Sequence, residues 1–174
     1  TMSDWLWINY PLLTMTPSNN NPYSVIYVTP GGLEIAETFK NYYPVMPTAY
    51  LKTNVTISGG NGSSGTPYTI TLGQNKNTDP DFGLVEANGN RGGLIKDDTD
   101  DQNYRYIGAN PNNFINVGND TWRIIGIFKV QDEDGNEDYR IKVVHSSIGS
   151  YSWDSSVQDP NNGYGRNDWN YAAA

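Results

Sequence analysis

The chain predicts a mainly β protein, α+β at most, built from antiparallel sheets with long loops. Three observations carry this. Apolar residues make up only 36% of the 174, while 13 Tyr, 5 Trp and 4 Phe supply large buriable side chains with polar handles. Several short runs alternate apolar and polar residues with the period of a half-buried strand. Clusters of Gly, Pro, Asn and Asp punctuate those runs at short intervals, which suits turns better than helices.

Taken in order, Trp5–Ile8 and Tyr23–Val28 are short apolar pieces separated by Pro11, Pro17 and Pro22, and the second has strong β propensity. Pro30, Gly31 and Gly32 make a turn. Leu33–Lys40 has the length of two helical turns but no clear N-cap, so it reads as a strand or irregular segment. Val45–Ile57 resumes the strand pattern, Gly59–Gly65 is a loop, and Tyr68–Leu72 alternates again. Gly73–Arg91 is rich in Asn, Asp and Gly with few apolar anchors, the composition of a linker.

The second half is more strongly patterned. Tyr104–Ile107 and Phe114–Val117 flank a Gly/Asn/Pro loop. Trp122–Val130 is the most apolar strand and pairs with Tyr139–Val144 through the turn 131–138. Residues 1–72 thus read as one segment, 73–92 as a linker, and 93–174 as a second segment.

Charge and composition exclude several functions. A net charge of −8, with Lys and Arg unclustered in sequence, disfavours a nucleic-acid binder. The absence of Cys removes disulfides, thiolate metal sites and a Cys nucleophile. No run has the length of a membrane span or the layout of a signal peptide, so an export signal or anchor is expected outside these residues.

Each candidate site also has a plainer reading. Asp132, Asp134, Asn136 and Asp138 resemble an oxygen-rich calcium loop, but no bidentate Glu follows at EF-hand spacing, and an Asp134-Gly135 hairpin turn accounts for them better. Asp97, Asp98, Asp100 and Asp101 read as a solvated loop. No cofactor is expected. His145, the only histidine, is adjacent in sequence to Ser146 and Ser147, a poor spacing for proton abstraction; it reads as a strand-end residue with a satisfied hydrogen bond. No catalytic elbow, phosphate loop or dinucleotide fingerprint is present, so no enzyme is expected. Trp153, Asp154, Tyr164, Arg166, Asn167, Asp168 and Trp169 mix aromatic faces with polar groups, which suits a glycan or host protein, although core packing of the two Trp is the plainer reading.

The stretches LIKDDTDDQNYRYIGANPNNF, WRIIGIF, IGSYSWDSS and NGYGRNDW resemble the first half of a domain of unknown function that recurs in surface and secreted proteins of Gram-positive gut bacteria and their wall-less relatives. YLKTNVTISGGNGSSGTPYTITL resembles the end of the same domain. The end-like segment therefore precedes the start-like one, the middle of the domain is missing, and Met46-Pro47 stands where that family carries Arg-Pro. The resemblance extends distantly to C-type-lectin-like folds and implies a domain that is permuted or completed by a neighbouring chain. It also implies an extracellular or cell-surface, non-catalytic adhesion module whose partners are copies of itself or a neighbouring module. One form is a fibre subunit donating strands through Val45, Tyr50, Leu51, Val55 and Ile57. The alternative is a closed carbohydrate- or protein-binding domain.

Overall fold

A computed structural model describes residues 12–19, 21, 23–29, 31–37, 43–77, 81–84, 93–98, 103–131, 134–147 and 149–151. The protein is mainly β, with antiparallel strand pairing throughout its named sheets. It divides into two compact units: one built around residues 47–147, the other from residues 8–46 together with 148–174.

The first unit is built on a hairpin. Strand β11 (Asp120–Gln131) turns into β12 (Glu137–His145), and the two pair from Trp122↔His145 to Gln131↔Glu137. Gly135 closes the turn with φ +84, a backbone conformation that glycine adopts without steric cost. The register slips by one residue between Ile124 and Gly126, a bulge that leaves Ile125 out of the ladder. Four more strands complete this sheet: β5 (Thr48–Tyr50), β8 (Leu94–Lys96), β9 (Tyr104–Tyr106) and β10 (Phe114–Val117). Their order is β5-β12-β11-β9-β8, with β10 paired to the start of β11. A separate hairpin of β6 (Val55–Gly59) and β7 (Thr69–Leu72) is tied to β10 through Tyr68, whose N–H donates to Phe114 at 2.8 Å and whose carbonyl accepts from Asn116 at 2.9 Å.

One face of the sheet meets the core. Ile124, Ile127, Ile141 and Val143 from the central hairpin pack with Leu94, Tyr106 and Ile115, and with Leu51, Val55 and Tyr68 from the earlier part of the chain. Residues from 51–84 and from 94–143 thus share one core. Burial raises the pKa of the Tyr68 phenol, an effect that the Tyr106 side chain opposes only in part. Asn113 is fully buried and stitches β10 to β11: its amide donates to the Ile124 carbonyl at 2.8 Å and its side-chain oxygen accepts from Arg123 Nε at 2.9 Å.

The linker expected over 73–92 is corrected in its described part. Phe82 and Leu84 are buried in the same core, Asn77 N–H donates to Thr53, and Ile57 N–H donates to the Phe82 carbonyl. Two apolar side chains are enough to seat a segment whose composition is otherwise that of a loop. Residues 85–92 lie outside the described ones.

In the second unit, β1 (Leu12–Pro17), β2 (Ser24–Thr29) and β3 (Gly32–Glu37) form a three-stranded meander, and β4 (Tyr43–Val45) pairs with β13 (Gly149–Tyr151). Leu33–Glu37 is therefore strand, as its weak N-cap signal implied. Val25 is buried, whereas Leu33 and Ile35 are 72% and 56% exposed.

A candidate binding face on the six-stranded sheet

Period-2 alternation decides which residues the six-stranded sheet presents away from its core. In β12 the inward set is Tyr139, Ile141 and Val143, so Arg140 and Lys142 fall on the other face. In β9 Tyr104 and Tyr106 face inward, which turns Arg105 outward. Beyond the bulge in β11, Gly126 and Phe128 take the outward positions, because Ile127 is inward.

Register then lines these residues up. Tyr50 pairs with Lys142, Lys142 with Gly126, Gly126 with Arg105, and Arg105 with Ile95, giving one row across five strands. Phe128, opposite Arg140, lies in the adjacent row. The Arg105 guanidinium sits 5.1 Å from the centre of the Phe128 ring, and the Lys142 ammonium 5.9 Å from the same ring. Lys142 is also 5.1 Å from the centre of the Tyr50 ring. These are cation–π distances, and they order Tyr50, Lys142, Phe128 and Arg105 into a ladder of rings and cations.

Gly126 makes the ladder possible. A Cβ there would lie 2.1 Å from the Tyr104 carbonyl oxygen and 3.1 Å from the Phe128 ring, so a bare backbone lets β9 approach and leaves room for the aromatic ring.

The charge balance of this face differs from that of the whole chain. Arg105 is paired with Asp97 at 2.5 Å. Arg140 and Lys142 have no carboxylate partner among the described residues, and the buried Nε of Arg140 has no hydrogen-bond partner there. Arg123 stands farther along the same face, 4.5 Å from the centre of the Phe114 ring, and burial draws its guanidinium pKa downward. Four of the chain's 11 Lys and Arg thus share one sheet face in a protein of net charge −8. Sequence spacing missed this. The available signal was the alternation of Arg140 and Lys142 with apolar neighbours in one strand.

The other candidate residues are distributed as follows. Trp153, Asp154, Tyr164, Arg166, Asn167, Asp168 and Trp169 lie outside the described residues, as does Asp132. Asp134 and Asn136 are exposed in the hairpin turn, and Asp138 is ion-paired with Lys76. Among the described residues no group of His, Asp and Glu has the geometry of a metal site.

The proposed donor strands are seated in their own chain. Tyr50 pairs with Lys142, Leu51 N–H donates to the Ile141 carbonyl at 2.9 Å, Val55 is in the core and Ile57 packs against it. Val45 belongs to the other unit, opposite Gly149. The premise of strand donation, that this segment lacks a place in its own sheet, is corrected by this pairing.

His145 ends β12 with its ring 4.9 Å from that of Trp122, edge to face. Its Nδ1 lies 3.0 Å from both Oγ and the carbonyl oxygen of Ser147. These contacts close a two-residue turn. No carboxylate is paired with the ring among the described residues, so the triad relay has no third member there.

Comparison of the chain with protein-family models, with curated proteins and with solved structures found no match. Among the described residues no helix is long and apolar enough to cross a membrane.

Proposed function

We propose that this chain is a non-catalytic extracellular module that works by binding or display, with its 47–147 unit closed within one polypeptide. The observation that carries the closed form is the place of β5. It is hydrogen-bonded to β12 of its own chain, and Leu51, Val55 and Tyr68 share a core with Ile124, Ile127 and Ile141. A strand already paired on its inner side, with its flanking side chains buried, is costly to withdraw for a neighbour. The extracellular setting rests on the resemblance of residues 45–72 and 93–168 to a domain of surface and secreted proteins. The binding role rests on the cation-aromatic face, and the non-catalytic role on the lack of an assembled nucleophile, base and carboxylate among the described residues.

Mass measured by light scattering across a concentration series, with electron microscopy of the same samples, tests the closed form. A constant monomer mass is the expected result. Growth into fibres with concentration would return the strand-donation reading in which residues 45–72 complete the next subunit. A labelled chain that stains no glycan or matrix array would remove the binding role.

A further inference from the structure

The outward face of the six-stranded sheet gathers cations on an acidic protein, and its layout restricts what can lie on it. Arg140 and Lys142 are left without a carboxylate among the described residues, and both adjoin Phe128. Tyr50 and Ile95, at the two ends of the row, are 41% and 44% exposed, and Arg105 is exposed between them. Both ends of the row are therefore open to a partner, while Phe128, Arg140 and Lys142 between them are half-buried.

The direction of the row discriminates between partners. It runs across the strands, one residue per strand at a spacing of about 4.8 Å. A peptide that added itself to an edge would run parallel to the strands, reaching Lys142 from the β5 side or Arg105 from the β8 side, but not both. A ligand that meets Tyr50, Lys142, Phe128 and Arg105 together must lie across the sheet without backbone pairing. It must present negative charge to the cations and apolar C–H surface to Tyr50, Phe128 and Ile95. A chain of carboxylated sugar rings has that alternation.

We infer that the face defined by Tyr50, Lys142, Phe128, Arg140 and Arg105 is a binding surface for an anionic polysaccharide carrying sugar carboxylates. This rests on the reading of the chain as a binding module and names the partner chemistry of that module. Lys142 and Arg140 bind the carboxylates, the Arg105–Asp97 pair supplies a fixed polar edge, and the Tyr50 and Phe128 rings support the sugar faces.

The test is titration of the intact chain with polygalacturonate in low-salt buffer. Neutral dextran and poly-glutamate serve as comparison polymers, and the titration is repeated near 1 M salt, where the Debye length is about 3 Å. Polygalacturonate is expected to bind and to weaken strongly in salt. Lys142→Gln and Arg140→Gln should each weaken it about tenfold, the scale of one charge-assisted hydrogen bond. Tyr50→Ala should weaken it severalfold. Lys96→Gln removes the same charge from an exposed position on the opposite side of β8 and should leave affinity unchanged. Circular dichroism and urea midpoints keep a folding defect from passing as a binding defect, and the Tyr50 variant tests the face without altering charge.

Absence of polygalacturonate binding would overturn the inference, as would equal losses in the Lys142 and Lys96 variants. Equal binding of dextran would remove the role of charge. Equal binding of poly-glutamate would remove the role of sugar. None of these outcomes bears on the solution mass or on array binding through another surface, so the closed-module reading stands or falls separately.

Discussion

Gly126 and Tyr104 touch so closely that no side chain fits between them: a Cβ on Gly126 would stand 2.1 Å from the Tyr104 carbonyl oxygen. That oxygen is backbone and cannot turn aside. Gly126→Ala is therefore expected to push β9 away from β11 and to cost about 3 kcal/mol, the upper range of overpacking. Urea unfolding gives the loss, and amide exchange should show it concentrated at Tyr104–Tyr106. A variant with unchanged midpoint would mean that β9 tolerates a wider spacing.

Tyr68 provides a pH dependence with a defined sign. Burial raises its folded-state pKa above the usual value near 10. In the unfolded chain the phenol loses its proton first, so above about pH 10 the unfolded state binds fewer protons and stability falls as pH rises. The contribution is fully present below the unfolded pKa and lost on passing through the folded one. Urea midpoints taken across that alkaline range should fall less steeply in Tyr68→Phe than in the parent chain. Equal slopes would assign the alkaline loss to the other tyrosines.

Asn113→Ala should be far more damaging than a loss at the surface. It removes the donor to Ile124 and the acceptor for Arg123 Nε from a fully buried position, so about 1–3 kcal/mol is expected. Asp97→Asn, which weakens an ion pair with exposed Arg105, should cost below about 1 kcal/mol. Thermal unfolding of the two variants side by side is sufficient, and a reversed order would contradict the assigned contacts.

Leu84→Ala examines the segment whose composition suggests a linker. Leu84 is fully buried in the core, so truncation should cost about 2–5 kcal/mol, as for other large-to-small core changes. A linker residue would cost almost nothing. Chemical denaturation separates the two outcomes.

These contrasts show which parts of the fold the residue order carries. The β11–β12 hairpin was legible because Tyr139–Val144 alternates cleanly, Trp122–Val130 is densely apolar, and Asp134-Gly135 supplies the turn between them. Tyr23–Val28 was legible for the same reason of local β propensity. The seat of β5 was not, since Thr48–Tyr50 is three exposed residues whose identity comes from pairing with Lys142 and Val144 rather than from a pattern of its own. Residues 45–57 read as one strand region, yet they hold three strands shared between two units, with Met46 and Pro47 at the division. The cation-aromatic face was hidden for a geometric reason. Arg105 and Lys142 are far apart in the chain and meet at one ring only through the register of β9, β11 and β12.

The pairing of Thr48 with Val144, and the 2.9 Å hydrogen bond from His145 N–H to the Pro47 carbonyl, also fix how this unit would respond to pulling. The polypeptide enters β5 and leaves β12 at the same end of one antiparallel pair. Tension drawn through the chain would therefore part these two strands from that end, loading their hydrogen bonds one rung after another rather than all together in shear. A unit threaded in this way yields to force by unzipping its outermost strand first, while the β11–β12 ladder behind it stays off the line of load.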